Sequence, residues 1–113
     1  MQDRAGPALT SVHDSLLAIV RIRFYLDART GLPHLLTHDV SEQEAESILR
    51  RATEDRPGQD GARIAVGQTE EGRYIRVVYV PDPEPDSVFI VTAYELTGKP
   101  LAAYKRRRRK KQA

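Results

Sequence analysis

His38, Arg63, Tyr74, Arg76 and Tyr94 are the side chains of this sequence suited to work on a phosphodiester. Cleavage of RNA through its 2′-hydroxyl needs a base, an acid and cationic donors for the charge that develops on phosphorus. Arginine offers a planar fork that matches phosphate oxygens, and tyrosine offers a stacking surface or a proton. His38 would be the base. The competing reading makes Arg63 and Arg76 solvated strand residues and the tyrosines amphipathic packing. What favours chemistry is clustering, because Arg63, Tyr74, Arg76 and Tyr94 all fall on alternating, β-branched stretches that could share a face.

A second candidate is electrostatic. Lys105, Arg106, Arg107, Arg108, Arg109, Lys110 and Lys111 form an unbroken run of seven basic residues, with Lys99 shortly before it. Such a run attracts any polyanion, with an affinity that falls steeply in salt. Taking its seven charges from the net charge of +2 leaves −5, so the body is mildly acidic. The basic character belongs to one end and does not imply a uniformly basic surface. Adjacent like charges also repel one another, so a helix there is weak unless a partner neutralises it, and a solvated tail is the competing reading.

His34 and His38 stand four apart and could share a helical turn, but Pro33 precedes them and no third ligand type stands nearby. No metal site and no cofactor are expected. The chain has no cysteine, which removes disulfides and thiolate sites and fits a reducing cytoplasm. No apolar run approaches the roughly 18 residues of a membrane span, so no membrane partner is expected.

The elements that must position these residues follow from periodicity. Met1–Ile19 has little pattern and reads as a flexible leader or a start site placed too early. The domain would then begin at Val20. Val20, Ile22, Phe24 and Leu26 alternate with Arg21, Arg23, Tyr25 and Asp27, the mark of a half-buried strand. Asp27–His38 reads as a loop. Ser41 and Glu44 have capping-box spacing, and Ala45, Ile48, Leu49 and Ala52 form a helical stripe that would end at Arg56-Pro57-Gly58. Then come three strands, Ala62–Thr69, Gly72–Val80 and Ser87–Leu96, read as an antiparallel meander.

Apolar matching places Glu70 opposite Arg73, hence Val66 on Val77 and Ile64 on Tyr79, because the shifted alternative sets Ala65 and Gly67 against large residues. Across the acidic Pro81–Asp86 loop it places Tyr79 opposite Phe89 and Arg73 opposite Glu95. In that register Arg63, Tyr74, Arg76, Thr92 and Tyr94 share one end of the second face, and Val78, Val80, Val88 and Ile90 the other. A helix from Pro100 would fray near Arg108. The expected fold is α+β, with an antiparallel sheet of about four strands, a helix after the first strand and a basic C-terminal helix. The expected division is 1–19 leader, 20–104 domain and 105–113 basic tail.

This order of elements resembles the BrnT-like toxins, which are similar to the RelE superfamily of bacterial toxin ribonucleases. The matching pieces are His38-Asp39-Val40-Ser41 before the Glu44-Ala45 helix, Arg63–Gly67, Gly72–Tyr79, and Ile90-Val91-Thr92-Ala93 followed by a basic helix. Related uncharacterised small domains share the His-x-x-x-His-x-Val-Ser entry seen from His34 to Ser41. The resemblance spans about Val20 to Lys111 and rests on the order of the motifs. It implies metal-free cleavage of messenger RNA, a cognate antitoxin and a bacterial cytoplasm. The BrnT-like pattern commonly has an arginine after the Ser/Thr-Ala step of the last strand, where this chain has Tyr94. The alternative is therefore a catalytically silent binding domain whose basic tail docks nucleic acid or an acidic partner.

Overall fold

The computed structural model describes residues 21–84 and 86–112. The proposed leader and the start at Val20 lie outside them. The strands are β1 (Arg21–Phe24), β2 (Glu54–Pro57), β3 (Arg63–Gln68), β4 (Tyr74–Pro81) and β5 (Ser87–Glu95). The helices are α1 (Glu42–Arg50) and α2 (Gly98–Gln112), with a 3-10 turn at His34–His38. They form an α+β domain around one five-stranded sheet, ordered β1-β5-β4-β3-β2. The sheet is mixed, because β1 runs parallel to β5 while the other neighbours are antiparallel. The expectation of about four antiparallel strands is thus corrected twice. Alternation in β1 tells which face is buried, but not which neighbour it takes across the 66 residues from Arg21 to Ser87. β2 was hidden inside the expected helix, which stops at Arg50. Its charges and Pro57 suit an edge strand, where a missing N–H is harmless.

α1 begins as its sequence requires. The Ser41 hydroxyl accepts from Glu44 N at 3.0 Å, and Glu44 Oε1 accepts from Ser41 N at 3.0 Å. Ala45, Ile48 and Leu49 are buried against the sheet together with Leu35, Val40, Ile75, Val77, Tyr79 and Ile90. α2 covers part of the opposite face, where Leu101 and Tyr104 pack on Ile64, Val66 and Leu96. The sheet therefore has a core on each side.

The register between β3 and β4 is the alternative that apolar matching rejected. Gly67 lies opposite Ile75, Ala65 opposite Val77, and Arg63 opposite Tyr79. Two physical reasons select it. Thr69 pairs with Arg73 around Glu70-Glu71-Gly72, with Thr69 N donating to Arg73 O at 2.8 Å and Gly72 at φ +95°. A three-residue hairpin loop ending in a left-handed glycine accommodates this pairing, whereas pairing Glu70 with Arg73 would leave a two-residue loop. Small residues are also needed under α1. A Cβ on Gly67 would sit 3.4 Å from the Ile48 side chain and 3.5 Å from the Arg51 carbonyl. Matching large residues across strands ignored the helix above them.

The second hairpin departs in another way. Val77 faces Ala93 and Val78 faces Thr92, but Tyr79 faces Ile90, so Val91 bulges out of the ladder. One extra residue reverses the faces beyond it. Val88 and Ile90 consequently turn into the α1 core, and Phe89 turns to the second face, opposite to expectation. The Arg73–Glu95 pair does form, at 3.3 Å, although Glu95 is registered opposite Ile75.

The seating of α1 predicts a graded response at residue 67. Gly67→Ala meets only ordinary contacts and should change stability by less than about 1 kcal/mol. Gly67→Val drives further carbons into Ile48 and the α1 C-terminus and should lose about 1–3 kcal/mol, despite valine's suitability for strands. Urea unfolding of both variants checks this, and a stable Gly67→Val protein would mean that α1 does not lie this close.

Candidate nucleic-acid interface

The corrected register divides the expected site. Arg63 lies on the α1 face, where its Nε donates to Asp55 Oδ1 at 2.8 Å. Asp55 Oδ2 also accepts from the buried Tyr79 hydroxyl at 2.6 Å. Burial, reinforced by Asp55, raises the Tyr79 pKa well above that of free tyrosine. Arg63 is thereby committed to a carboxylate beneath the sheet. The expectation that it shares a face with Arg76 is corrected, because a one-residue shift in β3 turns it to the other side.

Tyr74, Arg76 and Tyr94 remain together on the second face. Arg76 pairs across strands with Tyr94, and its guanidinium carbon lies 5.7 Å from the Tyr94 ring centre. The ring of His38 lies 5.8 Å from Tyr94 on the other side, brought there by the 3-10 turn. His34 meets His38 edge-on at 5.3 Å, and Asp27 Oδ2 stands 3.5 Å from His34 Nδ1. Among the described residues, no three potential ligands gather into a metal site. Arg76 Nε and Thr92 Oγ1 are shielded from water without a hydrogen-bond partner. Arg76 has no carboxylate partner among the described residues.

The basic run is ordered as helix beyond Arg108. Residues 105–112 continue α2 rather than forming a tail, and two anchors explain this. The Tyr104 hydroxyl bonds Thr53 Oγ1, and Arg107 grips Glu54 through Nε and Nη2 at 2.7 and 2.8 Å. Positive side chains in the last turn also suit the helix dipole. Of the seven cations, Arg107 is thus taken up in docking the helix, and Arg108 Nη1 donates to the Thr53 carbonyl at 3.2 Å. Arg106, Arg109, Lys110 and Lys111 are exposed. Lys99 is exposed in the first turn, about 9 Å along the axis from Lys105.

Between α2 and the sheet opens a cleft of about 350 Å³ lined by Gln68, Tyr74, Tyr104, Lys105, Arg108 and Arg109, with Thr53 at its edge. Lys105 Nζ lies 5.2 Å from the Tyr74 ring centre. The cleft combines aromatic surface, an amide and three cations, and no carboxylate lines it. Such a combination suits a phosphate chain carrying flat bases. Sequence reading named Tyr74 and the cations but missed Gln68 and Thr53, whose approach to α2 depends on the unforeseen β2 and on the register. It also gave no role to Tyr25, although Tyr25 stands on the polar side of the β1 alternation.

No helix among the described residues is long and apolar enough to cross a membrane. Comparisons with protein-family models, curated proteins and solved structures gave no match.

The Arg107–Glu54 grip makes α2 docking acid-sensitive. Arg107 is the main cause that holds the Glu54 pKa below the usual carboxylate range. A carboxylate with a lowered folded-state pKa stabilises fully above its unfolded value, about 4.3, and loses that stabilisation as pH falls through the folded value. Helical signal from α2 should therefore fall as the pH drops below the unfolded carboxylate value of about 4.3. Glu54→Gln should weaken docking at neutral pH and remove this acid step. Circular dichroism against pH checks both outcomes, and an unchanged acid step in Glu54→Gln would overturn the assignment.

Proposed function

We propose that this protein is an RNA-binding domain of toxin-like type that grips the phosphate chain with α2 and the cleft beside it. The observation that carries this reading is the anchoring of a basic helix over an acid-free cleft containing Tyr74, Lys105, Arg108 and Arg109. An unanchored basic tail would attract polyanions without geometry. Here the cations stand at fixed places beside an aromatic ring, so RNA gains both charge contacts and a stacking surface. The order of motifs shared with the BrnT-like toxins supports the further reading that an antitoxin holds the protein in check. A small overlapping reading frame for an acidic or DNA-binding protein beside its gene would support that pairing.

A second reading, metal-independent endoribonuclease, is favoured by one observation: His38, Tyr94 and Arg76 adjoin on the same face. In it, Arg76 binds phosphate, and His38 and Tyr94 exchange protons. Arg63 has no part, since Asp55 holds it beneath the sheet.

One set of measurements tests both. Anisotropy titrations of a labelled RNA oligomer should show affinity falling with salt, with a logarithmic slope on the order of −3 for four or five neutralised phosphates. Arg106→Ala, Arg109→Ala and Lys110→Ala together should flatten that slope while leaving the Arg107–Glu54 anchor intact. Truncation after Tyr104 should reduce binding in low salt still further. No binding by the wild type at low salt would overturn the RNA reading. For cleavage, RNA integrity is followed with and without ribosomes, using protein freed of any antitoxin. Arg76→Ala should abolish cutting and Arg63→Ala should preserve it; intact RNA throughout would dispose of the enzyme reading.

A further inference from the structure

The second face carries more than the cleft. From Lys105 above Tyr74, a row of aromatic and cationic side chains continues across the part of the sheet that α2 leaves uncovered. Tyr74 and Arg76 are two residues apart on β4 and so project on the same side, about 7 Å apart. Arg76 lies against Tyr94 at 5.7 Å, Tyr94 against His38 at 5.8 Å, and His38 against His34 at 5.3 Å. His34 meets Tyr25 at 5.9 Å, and Tyr25 meets Phe89 at 6.5 Å. These contacts come from β4, β5, the 3-10 turn and the end of β1, so no local sequence pattern produces the row. Tyr25 is 47% exposed and His38 is exposed.

We infer that the RNA taken by this domain is single-stranded, and that its bases lie along the row from Tyr74 through Arg76 and Tyr94 to His38, His34 and Tyr25. This inference rests on the proposed RNA binding and specifies the form of RNA bound. The chemistry is that of single-strand recognition. Unpaired bases present π-faces that stack on aromatic rings, and interleaved cations meet the phosphates. A duplex keeps its bases stacked inside and offers only phosphates and groove edges, which α2 could hold but the row could not use. Arg76 supplies a cation without a carboxylate partner among the described residues, between Tyr74 and Tyr94. Arg76 Nε and the neighbouring Thr92 Oγ1 are the two shielded side-chain polar atoms lacking partners among the described residues. Asp27 stands against His34 within the row at 3.5 Å, and Asp82, bonded to Arg23 at 2.6 Å, lies beyond its far end, so carboxylates limit the path for the phosphates at that end.

The test uses the full chain with three probes of one sequence: a twelve-nucleotide single-stranded RNA, its RNA duplex and the single strand as DNA. The chain has five tyrosines and no tryptophan, so tyrosine emission reports stacking directly. The single strand should bind at least five-fold tighter than the duplex at moderate salt and should quench tyrosine emission. Tyr25→Ala with Tyr94→Ala should weaken single-strand binding about ten-fold or more and leave duplex binding unchanged. Tyr25→Leu with Tyr94→Leu, which keeps apolar bulk at both positions, should show the same loss if stacking is the cause. Equal affinity for single strand and duplex, without quenching and without an effect of the variants, would overturn the row while leaving RNA binding by α2 standing. Binding of neither RNA would overturn both. Equal binding of the DNA strand would support the row and overturn its restriction to RNA.

Discussion

The close approach of α1 to β3 at Gly67 is the constraint on which the rest of this molecule depends. A helix can lie that near a sheet only where the strand beneath offers little side chain. Ala65 and Gly67 provide this, and their positions decide which side of β3 faces α1. Arg63, two residues from Ala65, is carried to the same side and ends in the Asp55–Tyr79 bonds. Ile64 and Val66 are carried to the opposite side, where they build the small core that receives Leu101 and Tyr104 of α2. The placement of the basic helix is thus linked to a glycine on the far side of the sheet.

Polar contacts then fix what packing leaves adjustable. Arg73 donates to both oxygens of Glu44 at 2.8 and 2.7 Å, and to the Asp39 carbonyl at 3.0 Å. It joins the start of α1 to β4 and to the chain leaving the 3-10 turn. Burial alone would raise the Glu44 pKa, but the Ser41 amide and Arg73 together hold it low. The carboxylate that caps α1 is therefore also the one that ties it down. On the other face Glu54 does the same for α2 through Arg107. Each helix is held by apolar contacts to the sheet and by one arginine–carboxylate grip.

Much of this was legible in the sequence, and the failures have a common cause. The capping box, the α1 stripe, the strands on either side of Gly72 and the basic helix all follow from local spacing. So does the opposition of Ile75 and Arg76, which take opposite faces as alternation requires. What was not legible depended on a third body. Pairing β3 with β4 by size alone could not register α1 lying above them. The bulge at Val91 is one residue in a run of β-branched types that gives no sign of it. The candidate site suffered accordingly: Tyr74, Arg76, Tyr94 and His38 meet, while Arg63 is turned away. Tyr25 joins them because β1 lies beside β5, a neighbour that alternation cannot name.

That parallel pairing also orders events in time. β2, β3, β4 and β5 are successive in the chain and each lies beside the next, so the four can form by short closures. β1 has no such route, since its partner is made 66 residues after it. During synthesis it is the first of the described strands to leave the ribosome and the last whose edge can be covered. Until then Ile22 and Phe24, which later pack on the α1 core, have no sheet to rest against. Its short length and the arginines alternating with those apolar residues are the features that limit mispairing through this wait.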